Sequence, residues 1–198
     1  MEDVFMESFG ILGEELVDPS EDGLVRYGKL ELLVAAKEGK ATTLLADALF
    51  SPSLFLAEQI QLGELRLAGR RVLELGSGVA LPLILASTLE PPPSIVTLSD
   101  YPDETILENL RKNVTTNKPL VHPNCQLNYV GYAWGSDVTP LLSFLPTDGP
   151  GYDTLILSDL LHFDSSHSDI LSTIIQTLSR SPDARIYVAA GLYTREPI

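Results

Sequence analysis

The sequence predicts an α/β protein built on a doubly wound parallel sheet, and three observations predict it. From residue 70 onward, short apolar runs of strand length alternate with longer segments of helical period. The first run ends on a glycine turn, Gly76-Ser77-Gly78. Two later runs end on the same pair, Ser99-Asp100 and Ser158-Asp159. Strands that alternate with helices imply right-handed crossovers and a parallel sheet covered on both faces.

Residues 1–28 are acidic and irregular, with Glu14, Glu15, Asp18, Glu21 and Asp22, and read as a surface arm. Residues 30–45 mix apolar and charged residues without a clean period and receive no element. Together, 1–45 form an arm and leading segment, and 46–198 one domain. Pro52 suits the first turn of a helix, where its missing N–H costs nothing. Leu54, Phe55, Leu56, Ile60 and Leu62 give that helix one buried face.

The alternation then follows. A strand is expected at 71–75, and a helix at 81–89 that Pro91, Pro92 and Pro93 terminate. A second strand at 95–98 closes on Ser99-Asp100. A helix over 104–114 exposes Glu108, Arg111 and Lys112. A third strand occupies 126–130, and a short helix or turn lies within 138–145. A fourth strand at 154–157 closes on Ser158-Asp159. A helix over 167–178 and a fifth strand at 185–189 complete the set.

Composition narrows the function. Hydrophobic residues make up 44% of the 198, enough for a real core, and the net charge is −14. That charge argues against nonspecific nucleic-acid binding, which needs clustered Lys and Arg; it reads first as simple solubility and permits attraction to a basic partner. No apolar run reaches the roughly 18 residues of a membrane span. The N-terminus shows no secretory pattern. A single cysteine, Cys125, points to a reducing, cytoplasmic setting.

Ligands of an open α/β sheet bind beyond the carboxyl ends of its strands. After the first strand comes the glycine turn, where the backbone approaches a ligand with no Cβ in the way. A dinucleotide fingerprint wants a third glycine where Leu81 stands, so a pyrophosphate cradle is disfavoured. Glu74, two residues before Gly76, would repel a pyrophosphate and suit a cationic ligand. S-adenosylmethionine (SAM) is such a ligand. Asp100 lies 22 residues past Gly78, the spacing of a ribose-binding carboxylate, although a lone Asp before Pro102 also suits a helix cap. Trp134, the only tryptophan, could lie against an adenine or simply pack in the core. His162 and His167 are five apart, a poor spacing for shared metal ligation, and no metal is expected.

Five motifs taken together resemble one family. They are Glu74-Leu75-Gly76-Ser77-Gly78, Ser99-Asp100-Tyr101-Pro102-Asp103, Glu108-Asn109-Leu110-Arg111-Lys112-Asn113, Gly131-Tyr132-Ala133-Trp134-Gly135 and Ser158-Asp159-Leu160. The set is similar to methyltransferase family 16, the lysine methyltransferase-like group of seven-β-strand SAM enzymes. Within it, the fungal branch of nicotinamide N-methyltransferase-like or elongation factor 1-alpha N-terminal and lysine methyltransferases looks nearest. The resemblance runs from about residue 45 to 190 and implies a Rossmann-like sheet of strand order 3-2-1-4-5. It implies that Gly76, Ser77 and Gly78 contact SAM and that Asp100 binds the ribose beside Tyr101. It implies that Trp134 borders the adenine and that Ser158 lines the same site. Phe50 stands for the family's aromatic, usually Trp, ahead of the first strand. The family's last helix and antiparallel hairpin are expected to be missing, since the sequence stops at Ile198.

The implied function is SAM-dependent N-methylation of a protein lysine or N-terminal amine, for instance on a basic translation elongation factor. Asp159 is the candidate to bind or orient the acceptor amine. Where many relatives carry Asp-x-x-Tyr, this chain reads Asp159-Leu160-Leu161-His162. A small-molecule, nicotinamide-like N-methyltransferase and an inactive SAM-binding scaffold are the alternatives. An NAD-linked oxidoreductase is weakened by Leu81 and Glu74.

Overall fold

The structure, a computed structural model, describes residues 23–147 and 149–191. The acidic stretch of the expected arm, up to residue 22, lies outside them. Five parallel strands form the central sheet: β3 (Arg71–Leu75), β4 (Ile95–Asp100), β5 (Gln126–Gly131), β6 (Thr154–Ser158) and β7 (Arg185–Ala189). Their order is β5-β4-β3-β6-β7, the 3-2-1-4-5 arrangement expected of a Rossmann-like fold. The order reverses between β3 and β6, and a cleft opens above their carboxyl ends, as the topology requires.

The strands are apolar at nearly every position because both faces are covered. One face carries Val72, Val96, Leu98 and Ile156. They pack against α2 (Ser51–Gln61), α3 (Leu81–Ala86) and α4 (Glu104–Asn117). The other face carries Leu73, Leu75, Leu155 and Leu157. It lies against α5 (Thr139–Leu142) and α6 (His167–Thr177). At the amino end, Arg71 donates two hydrogen bonds to Asp153, Nε at 2.9 Å and Nη2 at 2.5 Å. This forked pair ties β3 to the start of β6 and holds the Asp153 carboxyl below its ordinary pKa.

Two expectations are corrected. The helix expected over 81–89 ends at Ala86, and turns carry the chain to the prolines. The described part of the segment read as irregular arm and unassigned leader forms an antiparallel hairpin. Its strands are β1 (Leu24–Tyr27) and β2 (Leu30–Leu33), followed by the short α1 (Gly39–Thr43). Gly28, at φ +55°, turns the hairpin, a conformation glycine reaches without strain. Val25, Tyr27, Leu30 and Leu32 are buried against the main core. The sequence signal was present, a glycine between two short apolar runs, but four-residue strands are too short to show a period.

Candidate functional site: a carboxylate-lined cleft

The glycine turn between β3 and α3 forms the floor of the cleft. Gly76 sits at φ +62°, and a Cβ there would lie 2.7 Å from Leu160 Cδ2 and 3.2 Å from Trp134 Cζ2. Gly78, at φ +51°, faces open space. The turn is hydrogen-bonded to the strand beside it. Ser77 N–H donates to the Ser99 carbonyl at 2.9 Å, and Ser99 N–H returns to Ser77 Oγ at 3.1 Å. Gly78 N–H donates to Asp100 Oδ2 at 2.6 Å. The 22-residue spacing noted in the sequence is therefore a direct contact between two strand ends.

Asp100 closes β4 and is nearly buried. Its second oxygen accepts from Tyr101 N–H at 2.7 Å. Burial raises its pKa, and the Gly78 and Tyr101 N–H groups oppose that rise. Tyr101 stands at the rim with Lys40 Nζ 5.6 Å from its ring centre. Trp134 lies across the turn and meets Phe163 edge-on, ring centres 5.3 Å apart. Phe50 caps the start of α2 and faces the cleft, as do Ser158 and Asp159 at the end of β6.

Eight of the nine expected cofactor contacts line this one cleft, namely Phe50, Gly76, Ser77, Gly78, Asp100, Tyr101, Trp134 and Ser158, and Asp159 lines it with them. Glu74 does not. It is wholly buried beneath the floor, beside Ser77 and Asp100. Burial first, and the charge of Asp100 second, push its pKa well above the ordinary value. The sequence predicts Glu74 to be a charge facing the ligand. The alternation of β3 instead turns it onto the same face as Val72, away from bulk water, where burial disfavours the charged form.

Other wall residues went unread in the sequence. Leu44 and Leu45 come from the leading segment, Leu49 just precedes α2, and Leu160, Phe163 and Asp169 follow β6. Apolar residues in loops carry no periodic signal that would mark them. Leu45, Ala80 and Asp159 adopt positive φ without being glycine. Leu45 and Asp159 line the cleft and Ala80 adjoins it, the kind of place where strained backbone collects.

The lining sets the chemistry. Among the described residues that line the cleft, Asp100, Asp159 and Asp169 are acidic, and there is no Lys, Arg or His. Such a wall disfavours phosphate and suits a cation. The described residues hold no group of three His, Cys, Asp or Glu placed to bind a metal. The cradle fits SAM on these grounds: a turn that a single Cβ would fill, a strand-end carboxylate for hydroxyls, an aromatic plane, and an acidic wall for a sulfonium and an ammonium.

The family model for lysine methyltransferase matches residues 29–195. The chain belongs to the lysine methyltransferase family. It is similar to the protein N-terminal and lysine N-methyltransferase efm7 of Emericella nidulans, 34% identical over 132 residues, or 65% of this chain and 49% of that protein. The EFM7 protein of Gibberella zeae is 38% identical over 131 residues, covering 62% and 49%. That of Cryptococcus neoformans var. neoformans serotype D is 40% identical over 129 residues, covering 65% and 40%. The chain thus spans about half the length, or less, of these curated relatives. Among solved structures, the mitomycin 7-O-methyltransferase MmcR is similar at 22% identity and TM-score 0.49, covering 80% of this chain and 42% of that one. No helix among the described residues of this lysine methyltransferase family member is long and apolar enough to cross a membrane.

Proposed function

We propose that the cleft binds SAM and that the chain carries the methyl-transfer site of a protein N-methyltransferase, acting on a lysine or N-terminal amine. The observation that carries the reading is the acidic cleft at the switch point of the sheet, with Asp100 clamped to the glycine turn. Membership of the lysine methyltransferase family and likeness to protein N-terminal and lysine N-methyltransferases support the same reading.

In this reading Asp100 accepts hydrogen bonds from the ribose hydroxyls, using lone pairs that Gly78 and Tyr101 leave open. Trp134 borders the adenine, and Phe50, Tyr101 and Ser158 enclose the remainder. Residues 76–78 lie against the methionine portion, with buried Glu74 supporting the floor from below. SAM supplies a methyl already activated by a sulfonium, so the protein's part is alignment and desolvation, worth roughly 7–11 kcal/mol when complete. A free lysine has a pKa near 10.4 and must lose its proton to attack. Asp159, aimed into the cleft from the end of β6, orients the entering amine. The net charge of −14 favours a basic protein substrate such as a translation elongation factor. The single cysteine suits a reducing, cytoplasmic setting, and burial pushes the Cys125 thiol up to about 11, which leaves it unreactive.

Calorimetry with SAM, followed by labelled SAM in a cell extract, tests this. Binding is expected, with label entering a protein band rather than the small-molecule pool. Asp100→Ala is expected to weaken SAM binding about tenfold or more. Unchanged affinity would refute the ribose assignment.

A further inference from the structure

Helix α4 carries three buried asparagines, Asn109, Asn113 and Asn117, each one turn from the next. Residues at this spacing share one helix face, and here the face meets the outer edge of β2. Asn117 accepts from Glu31 N–H at 3.1 Å and donates to the Glu31 carbonyl at 2.8 Å. Asn113 repeats the pattern on Leu33, accepting from its N–H at 2.7 Å and donating to its carbonyl at 2.9 Å. Asn109 Nδ2 adds a second donor to the Leu33 carbonyl at 2.8 Å. The side-chain amides thus treat β2 as a neighbouring strand would, exchanging paired bonds with alternate residues.

The two inner asparagines differ in their remaining bond. Asn117 Nδ2 also donates to the Asn113 backbone carbonyl at 2.8 Å, within its own helix. Asn113 Nδ2 instead reaches the Val79 carbonyl at 3.2 Å. Val79 follows Gly78, lines the cleft, and precedes Ala80, the N-cap of α3. The glycine turn is therefore tied at three successive residues: Ser77 to Ser99, Gly78 to Asp100, and Val79 to Asn113. One amide joins the last of these ties to the N-terminal hairpin.

We propose that Asn113 is a positioning residue for the cofactor turn, and that the β1–β2 hairpin is part of the support holding that turn in its binding shape. The proposal rests on the reading of the cleft as a SAM site. Asn113 lies behind the turn, off the cleft wall. It acts by fixing the Val79 carbonyl, which keeps the Gly78 N–H on Asp100 and so keeps both groups in place for the ligand.

Asn113→Ala and Asn117→Ala in the full chain form a matched pair. Each removes one clamp on β2, so each lowers thermal stability by a comparable amount. Only the first breaks the tie to Val79. Hydrogen exchange of the amides of residues 77–80 should quicken several-fold in Asn113→Ala and stay unchanged in Asn117→Ala. The Kd for SAM should rise roughly fivefold in the first alone, the loss expected for one hydrogen bond. Asn113→Asp and Asn117→Asp keep side-chain size and replace the alanine pair if either alanine variant fails to fold. Equal effects of the two positions on exchange and Kd would make Asn113 a hairpin clamp only and overturn the proposal. If exchange separates the pair but wild type binds no SAM, the tie to the turn stands and the SAM reading alone falls.

Discussion

Asp100 and Asp159 each end a parallel strand on a Ser-Asp pair, yet the loops that follow them are built differently. After β4, Asp100 accepts two backbone N–H groups, one from the glycine turn and one from Tyr101. Three residues on, Asp103 caps α4 by accepting from Thr105 N–H at 3.1 Å. After β6, Asp159 sits at φ +61° and accepts from Gly191 N–H at 3.1 Å, a residue 32 positions away. Two single-turn 3-10 segments follow it, Leu160–His162 and Asp164–Ser166, and Leu161 is exposed. The same dipeptide gives a carboxylate locked by its neighbours in one loop. In the other it gives one that lines the cleft and is tied to the end of β7, its N–H donating to the Ala189 carbonyl at 2.8 Å. Under the proposed function, the first grips the cofactor and the second meets the acceptor.

That contrast can be broken most severely at the cofactor side. Gly76→Val would place a branched side chain at φ +62° and drive its Cβ into Leu160. Backbone strain alone is on the order of 1–3 kcal/mol. A melting curve should show this loss, and calorimetry no measurable SAM binding. Retained binding would mean that the turn is not the floor of the ligand site.

The acceptor side is sharpened by Asp159→Asn. Asparagine tolerates positive φ and its Oδ1 can still accept from Gly191, so the loop is preserved while the charge is removed. Turnover should fall about ten- to hundredfold while the Kd for SAM changes less than about twofold, consistent with loss of a group acting on the acceptor. A matching rise in Kd would move Asp159 to the cofactor side.

The last effect, on stability rather than on the ligand, concerns Glu74. Its folded pKa is raised, so the folded state holds a proton that the unfolded chain releases. Stability from this group is full below the ordinary carboxylate value, and is lost as pH rises through the raised one. Glu74→Gln cannot ionise. Its stability relative to wild type should therefore be near parity below the ordinary carboxylate value and grow as pH rises toward the raised one, by about 1.4 kcal/mol for each pH unit between them. Melting curves across that range check it, and a difference independent of pH would show that Glu74 is not held neutral.

Local features carried much of the site into the sequence. Positive-φ glycines after an apolar strand mark the turn, and the step from Gly78 to Asp100 becomes a 2.6 Å hydrogen bond. The asparagines of α4 show the limit. Asn109 and Asn113 stood within a motif of the sequence, but their partners Leu33 and Val79 are 34 to 80 residues away. A polar stripe inside a helix does not reveal whether it meets water or a strand edge. Glu74 shows another limit, since its charge depends on the dielectric around it.

By itself, the sequence determined the parallel sheet and its strand order, the glycine turn, and the strand-end residues that converge on one cleft. Each of these follows from periodicity, from backbone conformations only certain residues reach, or from the resemblance its motifs carry. Tertiary structure alone decided that Glu74 is buried beneath the cleft with its pKa raised, and that Leu45 and Phe163 wall it. It also decided that the leading segment forms a hairpin clamped by Asn113. These outcomes depend on burial and on contacts between distant residues, where free energy is set by what surrounds a group rather than by its neighbours in the chain.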